Sequence, residues 1–419
     1  MAEAELQERL KTADEQAPGE AVVTLQSIIS GAQPSTAEVI KVKEQAIQKL
    51  GDLYAKQKDA AALRRLLTDL RPLFASIPKA KTAKIVRTII ETIARVPDST
   101  QLQLEVCKEQ VEWARAEKRM FLRQRIEARL ATLYLGAKDY PAALALISRL
   151  LVEVKRLDDK LLLVDIHLLE SRTHHALRNV PKAKAALTAA RTAANAIYVP
   201  PGLQAEIDTQ SGALHAEEHD YKTAFSYFFE AFEALASLDD PRAVLALKHM
   251  LLCKVMMKDA EEVPGIVASK AGLKHAGAEV DAMRAVAKAA QERSLQAFDA
   301  AMSEHGAQLR EDPIVHVHLQ ALYDTLLEGN LLRLIEPFSR VEIAHLAHLI
   351  KLPFDTVLAK LSQMILDKKF AGTLDQGAGC LEVFDEPPPD GVYPAALGTF
   401  DNIGRVVDTL FQRSLKVAS

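Results

Sequence analysis

Apolar side chains recur at helical spacing through most of the chain. Over residues 41–315, apolar stretches of helical length alternate with short polar turns. Turn-like positions 39 to 41 residues apart divide this region into helix pairs: Asp59, Asp98, Asp139, Asn179, Asp220 and Asp259. A fixed period of about 40 residues is typical of stacked helix hairpins. The pattern therefore predicts a tetratricopeptide-like α-solenoid over residues 41–315, in a protein dominated by α-helix.

Small residues recur in register around three of these turns. They are Ala131, Ser171 and Gly212 in the first helix of each pair, and Ala143, Ala183 and Ala224 in the second. Large side chains at these positions would push the two helices apart. We therefore expect close helix contacts there. Each hairpin can bury its apolar stripe only against its neighbours, so the array needs a cap at each end.

Residues 316–386 follow a different pattern. Two short amphipathic helices come first, and we expect Ser339 to cap the first and Pro353 to end it. Strand-like segments at Phe370–Asp375 and Cys380–Phe384 then flank a glycine turn. The order helix, helix, strand, turn, strand predicts a winged helix that caps the C-terminal end of the solenoid.

The two predicted strands offer an edge to which a partner protein could add a strand. The predicted contact residues of this surface are Phe370, Leu374, Leu381 and Val383. A winged helix can also place its second helix in a DNA groove, which makes nucleic-acid binding the competing hypothesis. Over residues 354–369, however, three lysines face two aspartates, a net charge of only +1. A groove reader needs several Lys or Arg residues, so the pattern favours a protein interface.

Prolines mark residues 387–393 as a linker, because consecutive prolines remove backbone donors and fix φ. A last helix is predicted over residues 394–419. Its apolar positions alternate at spacings of four and three, an average of about 3.5 that is typical of helices packed side by side. The predicted contact residues are Phe400, Ile403, Val407 and Leu410. We expect this helix to join a bundle with partner helices; the alternative is that it folds back on the winged helix.

Composition and charge narrow the class of protein. The 419 residues are 49% hydrophobic and 5% aromatic, with a net charge of −4, which suits extended helix packing. Residues 1–40 form an acidic segment with 2 basic and 7 acidic residues, whereas residues 41–129 carry 20 Lys/Arg against 11 Asp/Glu. This basic block is either a contact surface for an acidic partner or a solvated face. The three isolated cysteines and the polar N-terminus predict a reducing compartment, without a signal peptide or membrane span.

Three histidine pairs have spacings that occur in enzyme or metal sites. His215 and His219 have the H-x-x-E-H spacing of zinc peptidases, but both fall at a helix end beside a predicted turn. His316 and His318 form an H-x-H motif without the serine and aspartate that metalloproteases place after it. The pair His345 and His348 has no third ligand. We therefore predict no catalytic residue, no metal and no cofactor, and the absence of a phosphate-binding loop argues against nucleotides.

Three runs in the C-terminal part resemble the PCI module of proteasome lid subunits: Pro337–Ile343, Leu361–Phe370 and Leu374–Gly377. The resemblance implies a non-catalytic scaffold of the regulatory particle lid, found in the cytoplasm and nucleus. It also implies the partners: other PCI subunits, the lid metalloprotease subunit, the ATPase ring and the α-ring of the core particle. It implies no nucleic acid, membrane or small-molecule ligand. The alternative is the paralogous subunit of the COP9 signalosome.

Overall fold

A computed structural model describes residues 9–10, 12, 18–30, 37–97, 99–310, 312–384 and 391–418. The predicted turn at Asp98 and the proline-rich part of the predicted linker, residues 387–390, lie outside the described residues. The chain forms two compact units. The first contains the chain up to Met257 together with Pro264–Val280, and the second contains Lys258–Val263 and the chain from Asp281 onward.

The first unit is built from α-helices that pack against their neighbours in sequence. They are α1 (Pro18–Ser30), α2 (Ala37–Lys56), α3 (Ala60–Asp69), α4 (Arg71–Ser76), α5 (Lys79–Ala94), α6 (Thr100–Ala116), α7 (Met120–Gly136), α8 (Tyr140–Leu157), α9 (Lys160–Ala176), α10 (Val180–Asn195), α11 (Pro201–Glu217), α12 (Tyr221–Ser237) and α13 (Ala243–Met256). Two short helices follow, α14 (Val263–Ala268) and α15 (Lys270–Lys274). The next helix, α16 (Ala278–Glu292), begins in the first unit and continues into the second, which resumes at Asp281. The predicted helical solenoid is confirmed.

One turn geometry repeats between the helices. At the α7–α8 turn, Lys138 adopts a left-handed conformation with φ of 62°, and the N–H of Asp139 donates to the Tyr134 carbonyl at 2.9 Å. These features define a Schellman helix end. The Asp139 carboxylate then accepts a hydrogen bond from the N–H of Ala142 at 3.3 Å and so caps the next helix. One residue thus ends one helix and starts another.

The same arrangement recurs at three of the other predicted turns, in which the capping residues are Asp59, Asn179 and Asp220. Each follows a residue with positive φ and caps the helix after it through its side chain. The spacing of short polar residues therefore located these turns correctly, because an Asp or Asn side chain can accept the hydrogen bond that caps the following helix.

The small residues predicted in register lie at the helix contacts. All six are buried, from Ala131 on α7 to Ala224 on α12. The tightest contact is at Gly212, where an added Cβ would lie 2.8 Å from Cε1 of Phe228 on the paired helix. An apolar core that includes Leu50, Phe74 and Ile147 runs through α1–α9. Since each fully buried large apolar side chain contributes about 1.5–3 kcal/mol, this continuous core stabilises the stack.

The second unit contains α17 (Leu295–Glu304), α18 (Gly306–Arg310) and α19 (Pro313–Ile335), and then a winged helix. The winged helix comprises β1 (Arg340–Glu342), α20 (Ile343–Ile350), α21 (Phe354–Leu366), β2 (Gly372–Asp375) and β3 (Cys380–Val383). Its sheet is antiparallel with the order β1-β3-β2. Between β2 and β3, the Asp375 carboxylate accepts hydrogen bonds from the N–H groups of Gly377 and Ala378 at 3.0 and 3.1 Å. These bonds fix the turn.

Two expectations about this module were wrong. Ser339 does not cap a helix: its carbonyl accepts a hydrogen bond from the N–H of Val383, and strand β1 follows it before α20 begins at Ile343. The segment Cys380–Phe384 does not present a free edge, because β3 lies between β1 and β2. The predicted winged helix is otherwise present, and its core includes Leu346, Leu361 and Leu381.

The last helix, α22 (Val392–Ala418), begins two residues before the predicted start, within the segment 387–393 that was predicted as a linker. Every side chain described from Gly391 to Leu415 is exposed. The alternative in which this helix is buried against the winged helix is therefore not what the structure shows. No helix in the described parts of the chain is both long enough and apolar enough to span a bilayer.

Candidate protein-interaction surfaces

The predicted contact residues of the winged helix do not form one exposed patch. Leu381 lies on the central strand β3 and is fully buried in the core of the module. Phe370, Leu374 and Val383 are half-buried and pack against the same core. These four side chains therefore hold the sheet in place. A partner strand could reach only the outer edges of β1 and β2.

The hydrogen-bond register shows which backbone groups those edges present. The N–H of Val383 donates to Ser339 at 2.9 Å, and the N–H of Phe384 donates to Ala371 at 2.9 Å. Antiparallel pairs alternate between bonded and non-bonded positions, so the peptide groups of Arg340 and Glu342 point outward from β1. By the same alternation, the peptide groups of Gly372 and Leu374 point outward from β2. Both edges are ready for strand addition.

Sequence reasoning missed a set of exposed apolar side chains on the same module. Leu366, at the end of α21, is 79% exposed. The others are Phe338, Leu349, Phe354 and Phe384. A helical pattern alone could not separate Leu349 and Leu366 from core positions, because both continue the apolar spacing of their helices. Large apolar side chains gathered on one small module are typical of a protein contact.

The lysines that could favour nucleic-acid binding are largely paired within the module. Lys360 on α21 lies 3.0 Å from the Glu328 carboxylate on α19, and Lys369 forms an ion pair with the same carboxylate. Burial opposes ionisation of Glu328, but the hydrogen bonds from Lys369 and Lys360 outweigh it, so the pKa of this carboxyl lies below its usual value. These charges join α19 to the winged helix. They leave little positive charge for a phosphate backbone.

Helix α22 carries the most extensive exposed apolar surface. The predicted residues Phe400, Ile403, Val407 and Leu410 are all exposed, with Phe400 at 69%. Further exposed apolar residues lie along the same helix: Val392, Tyr393, Leu397, Val406, Phe411 and Leu415. A 27-residue helix with such a face is stable in water only if another surface covers it.

The histidine patterns lie in structural positions. The His215 ring stacks on Tyr227 with the ring centroids 5.5 Å apart, and burial lowers its pKa, as does the nearby Lys184. His219 adopts the left-handed turn conformation, and its Nδ1 shares a hydrogen bond with the Tyr221 hydroxyl at 2.9 Å. In the described segments, no group of three His, Cys, Asp or Glu residues is placed to hold a metal ion.

The other two histidine pairs also lie on helices without forming a metal site in the described parts of the chain. His318 is buried in α19, whereas His345 and His348 are exposed on α20. Neither pair belongs to a group of three potential metal ligands in the described segments. The surfaces of this chain therefore offer apolar faces and strand edges, and these are features of assembly.

Stacked helix hairpins followed by a winged helix define the class of PCI-domain proteins, and the PCI domain family matches residues 302–385. Two more specific families match the rest. The 26S proteasome regulatory subunit RPN6 N-terminal domain covers residues 3–137, and the RPN6 C-terminal helix domain covers residues 389–414. The chain belongs to the family of 26S proteasome non-ATPase regulatory subunit 11, also called Rpn6.

Relatives match over nearly the full length. The chain is 61% identical over 412 residues to the 26S proteasome non-ATPase regulatory subunit 11 homolog of Arabidopsis thaliana, covering 98% of each chain. It is 50% identical to the probable 26S proteasome regulatory subunit rpn6 of Schizosaccharomyces pombe, covering 90% of this chain and 89% of the relative. It is 45% identical to 26S proteasome regulatory subunit RPN6 of Saccharomyces cerevisiae, covering 89% and 87%. These names favour the proteasome over the signalosome alternative.

Proposed function

We propose that this protein is a non-catalytic scaffold subunit in the lid of the 26S proteasome regulatory particle and acts in ubiquitin-dependent protein degradation. The observation that carries the proposal is α22, whose long apolar face is uncovered in the chain by itself. Because the chain belongs to the Rpn6 family, we expect other subunits of the proteasome to cover this apolar face. The names of its relatives, which call them non-ATPase subunits, support a role without bond chemistry.

Three surfaces of the protein make the proposed contacts, each with different partners. The winged helix joins other PCI subunits through the outer edges of β1 and β2 and through its exposed apolar side chains, among them Leu366. Helix α22 enters a helical bundle shared with lid subunits, including the metalloprotease subunit. The helical first unit reaches the ATPase ring and the α-ring of the core particle. The protein then works in the cytoplasm and nucleus, where it couples deubiquitination, unfolding and entry into the core.

The energetics favour a bundle over a contact with one helix. Burying apolar surface contributes about 25 cal/mol per Å², so completing the burial of four large side chains contributes on the order of 4–8 kcal/mol. Association costs roughly 4–15 kcal/mol in lost translational and rotational freedom and in ordering. One face against one partner helix is therefore marginal. Several partner helices, together with the winged-helix edges as a second attachment point, exceed this cost.

A charge-insertion experiment tests the proposal. Phe400→Asp with Val407→Asp places two carboxylates on the exposed apolar face of α22. The variant chain should fold normally, because both side chains are already exposed, but should fail to enter the lid. The measurement is native-gel assembly with tagged lid subunits, combined with thermal melting of the isolated chain.

The matched control is Asn402→Asp with Thr409→Asp, which adds the same charge at the same seven-residue spacing on another face of the helix. The control variant should assemble like the wild type. Normal assembly of the Phe400/Val407 variant would refute the role of this face. A large fall in melting temperature of that isolated variant would show instead that the helix packs within its own chain.

A further inference from the structure

A groove crosses one face of the first unit, and no role described above accounts for it. It is lined by the first helices of four successive hairpins, α5, α7, α9 and α11, and has a volume of about 1010 Å³. This size is at the upper end of small-molecule pockets, which hold about 300–1,000 Å³, and the groove is open to solvent along its length. An elongated open groove is suited to a stretch of polypeptide. Solenoid proteins present such concave surfaces for binding.

The charged side chains in the groove are unevenly compensated. Five basic residues line it against three acidic ones, Glu91, Asp165 and Glu206. Arg172 lies 3.1 Å from Glu206, and Arg87 lies 3.3 Å from Glu91, so these pairs are internally satisfied. Lys84 forms an ion pair with the carboxylate of Glu44, which lies outside the groove, at a distance of 2.9 Å.

Two arginines on α7 are left without such a partner. Neither Arg125 nor Arg129 forms an ion pair or a side-chain hydrogen bond with the described residues, although Arg125 lies close enough to Asp165 to oppose the rise in the pKa of that carboxyl. The Nε of Arg129 is moreover buried without a hydrogen-bond acceptor among those residues. A buried donor without an acceptor is costly, and a charge-assisted bond to a carboxylate would remove that cost. The groove floor therefore favours an anionic group beside α7.

Apolar side chains flank these arginines. Phe121, one turn before Arg125 on the same helix, is 64% exposed, and Leu161 on α9 is 41% exposed. Leu203 on α11 continues the apolar strip. A ligand that fits the groove must therefore carry apolar side chains as well as carboxylates. A nucleic-acid strand does not fit this requirement, because Asp165, Glu206 and Glu91 would repel its phosphates.

We propose that this groove binds an acidic segment of a partner protein that also carries apolar side chains, with its carboxylates on Arg125 and Arg129 and its apolar side chains against Phe121 and Leu161. The length of the segment follows from the geometry. Crossing four adjacent helices covers three interaxial steps of about 8–10 Å each. In extended form this requires about eight residues at roughly 3.3 Å each. The contact is separate from α22 and the winged helix and does not rest on the proposed assembly role.

Fluorescence anisotropy with the purified full-length chain tests the proposal. The probe is a fluorescein-labelled peptide of about nine residues in which Glu and Leu alternate, a length set by the strand rise. Two comparison peptides replace every Glu by Lys or every Leu by Ser. The acidic, apolar peptide should bind at least about tenfold more tightly than either comparison peptide, since both ionic and apolar contacts contribute. Equal binding of the three peptides, or tighter binding of a short oligothymidylate, would overturn the proposal.

Variants then locate the binding site. Arg125→Glu with Arg129→Glu should weaken binding of the acidic peptide about tenfold or more, and Phe121→Gln should weaken it several-fold. The matched control, Lys155→Glu with Lys182→Glu, makes the same charge change on exposed residues of α8 and α10, outside the groove. It should leave binding within about twofold of the wild type. Equal loss in both double variants would show a nonspecific charge effect and refute the assignment. Circular dichroism verifies that each variant is folded.

Discussion

The contact between Gly212 and Phe228 gives a prediction whose sign is opposite to that of helix propensity. Gly212→Ala should destabilise the hairpin formed by α11 and α12, although alanine is the better helix former by about 1 kcal/mol. The added Cβ would lie 2.8–2.9 Å from three ring atoms of Phe228. Normal contact needs about 3.5–4.0 Å, so the ring must shift by nearly an ångström.

The surroundings of the ring decide the magnitude. Phe228 is 1% exposed, and its ring centroid lies 5.0 Å from that of His249 on the next helix. The ring therefore cannot move without displacing α13. Overpacking of this kind costs about 1–3 kcal/mol, so after the gain in propensity we expect a net loss of about 0–2 kcal/mol. Gly51→Ala is the matched control, because its Cβ would meet only Thr92 at 3.9 Å and Leu63 at 4.0 Å. That variant should be more stable by up to about 1 kcal/mol.

Hydrogen exchange of the intact chain is the appropriate assay, since a chain with two compact units need not unfold in one step. A loss of 1 kcal/mol corresponds to about a fivefold loss of amide protection. Gly212→Ala should show a loss of that order confined to α11, α12 and α13. A gain of protection there, equal to that at α2 in Gly51→Ala, would mean that the Phe228 contact does not resist the methyl group.

Two further predictions concern carboxylates, and a third concerns zinc binding. Glu328→Gln should lower the melting temperature at neutral pH, where the ionised carboxylate stabilises the fold through its ion pairs. The difference from wild type should shrink as pH falls below the usual carboxyl pKa of 4.5, because the carboxylate then becomes protonated. A difference in melting temperature that does not change with pH would contradict the ion pairs. The Asp165 side chain is exposed to the groove, but the protein around it and the charge of Glu206 raise the pKa of its carboxyl to about 6. Asp165→Asn should therefore raise the melting temperature slightly at pH 7.5 and have less effect near pH 5, and a lower melting temperature at pH 7.5 would contradict this. His215→Ala with His219→Ala should leave zinc content, measured by inductively coupled plasma mass spectrometry, unchanged at background; one equivalent of zinc lost with the histidines would reveal a metal site.

The hairpin turns could be predicted from the sequence because their determinants are local. Asp139 ends one helix and caps the next through neighbours within five residues. Strand β1 could not be predicted from the sequence, because Arg340–Glu342 differs little from the start of a helix and its pairing partner lies about 40 residues later in the chain. That pairing makes β3 central and buries Leu381, which a strand pattern alone had suggested for a contact surface. Local spacing does not contain the order of strands in a sheet.

The groove was missed for a related reason. On α7, Arg125 and Arg129 have the spacing of an ordinary solvated helix face, and Leu161 and Leu203 belong to other hairpins. The surface exists only once four hairpins are stacked. The exposed face of α22 could be predicted because it lies on one helix whose period is visible in sequence. Surfaces built from one element can thus be found without a structure, and those built from several cannot.

The position of β3 in the chain has a consequence for synthesis on the ribosome. Each hairpin of the first unit is closed by a turn within a few residues of its helices, so it can form as soon as it emerges. The winged helix cannot, because β1 has no strand beside it until Cys380–Val383 has been made. Nascent chains should therefore hold Leu346 and Leu361 in an open, protease-sensitive state until late in translation. Stalled chains with the tunnel exit placed at Asp375 or at Phe384 would show this as a sharp gain in protease resistance between the two lengths, and equal resistance at both would argue that α20 and α21 close without the sheet.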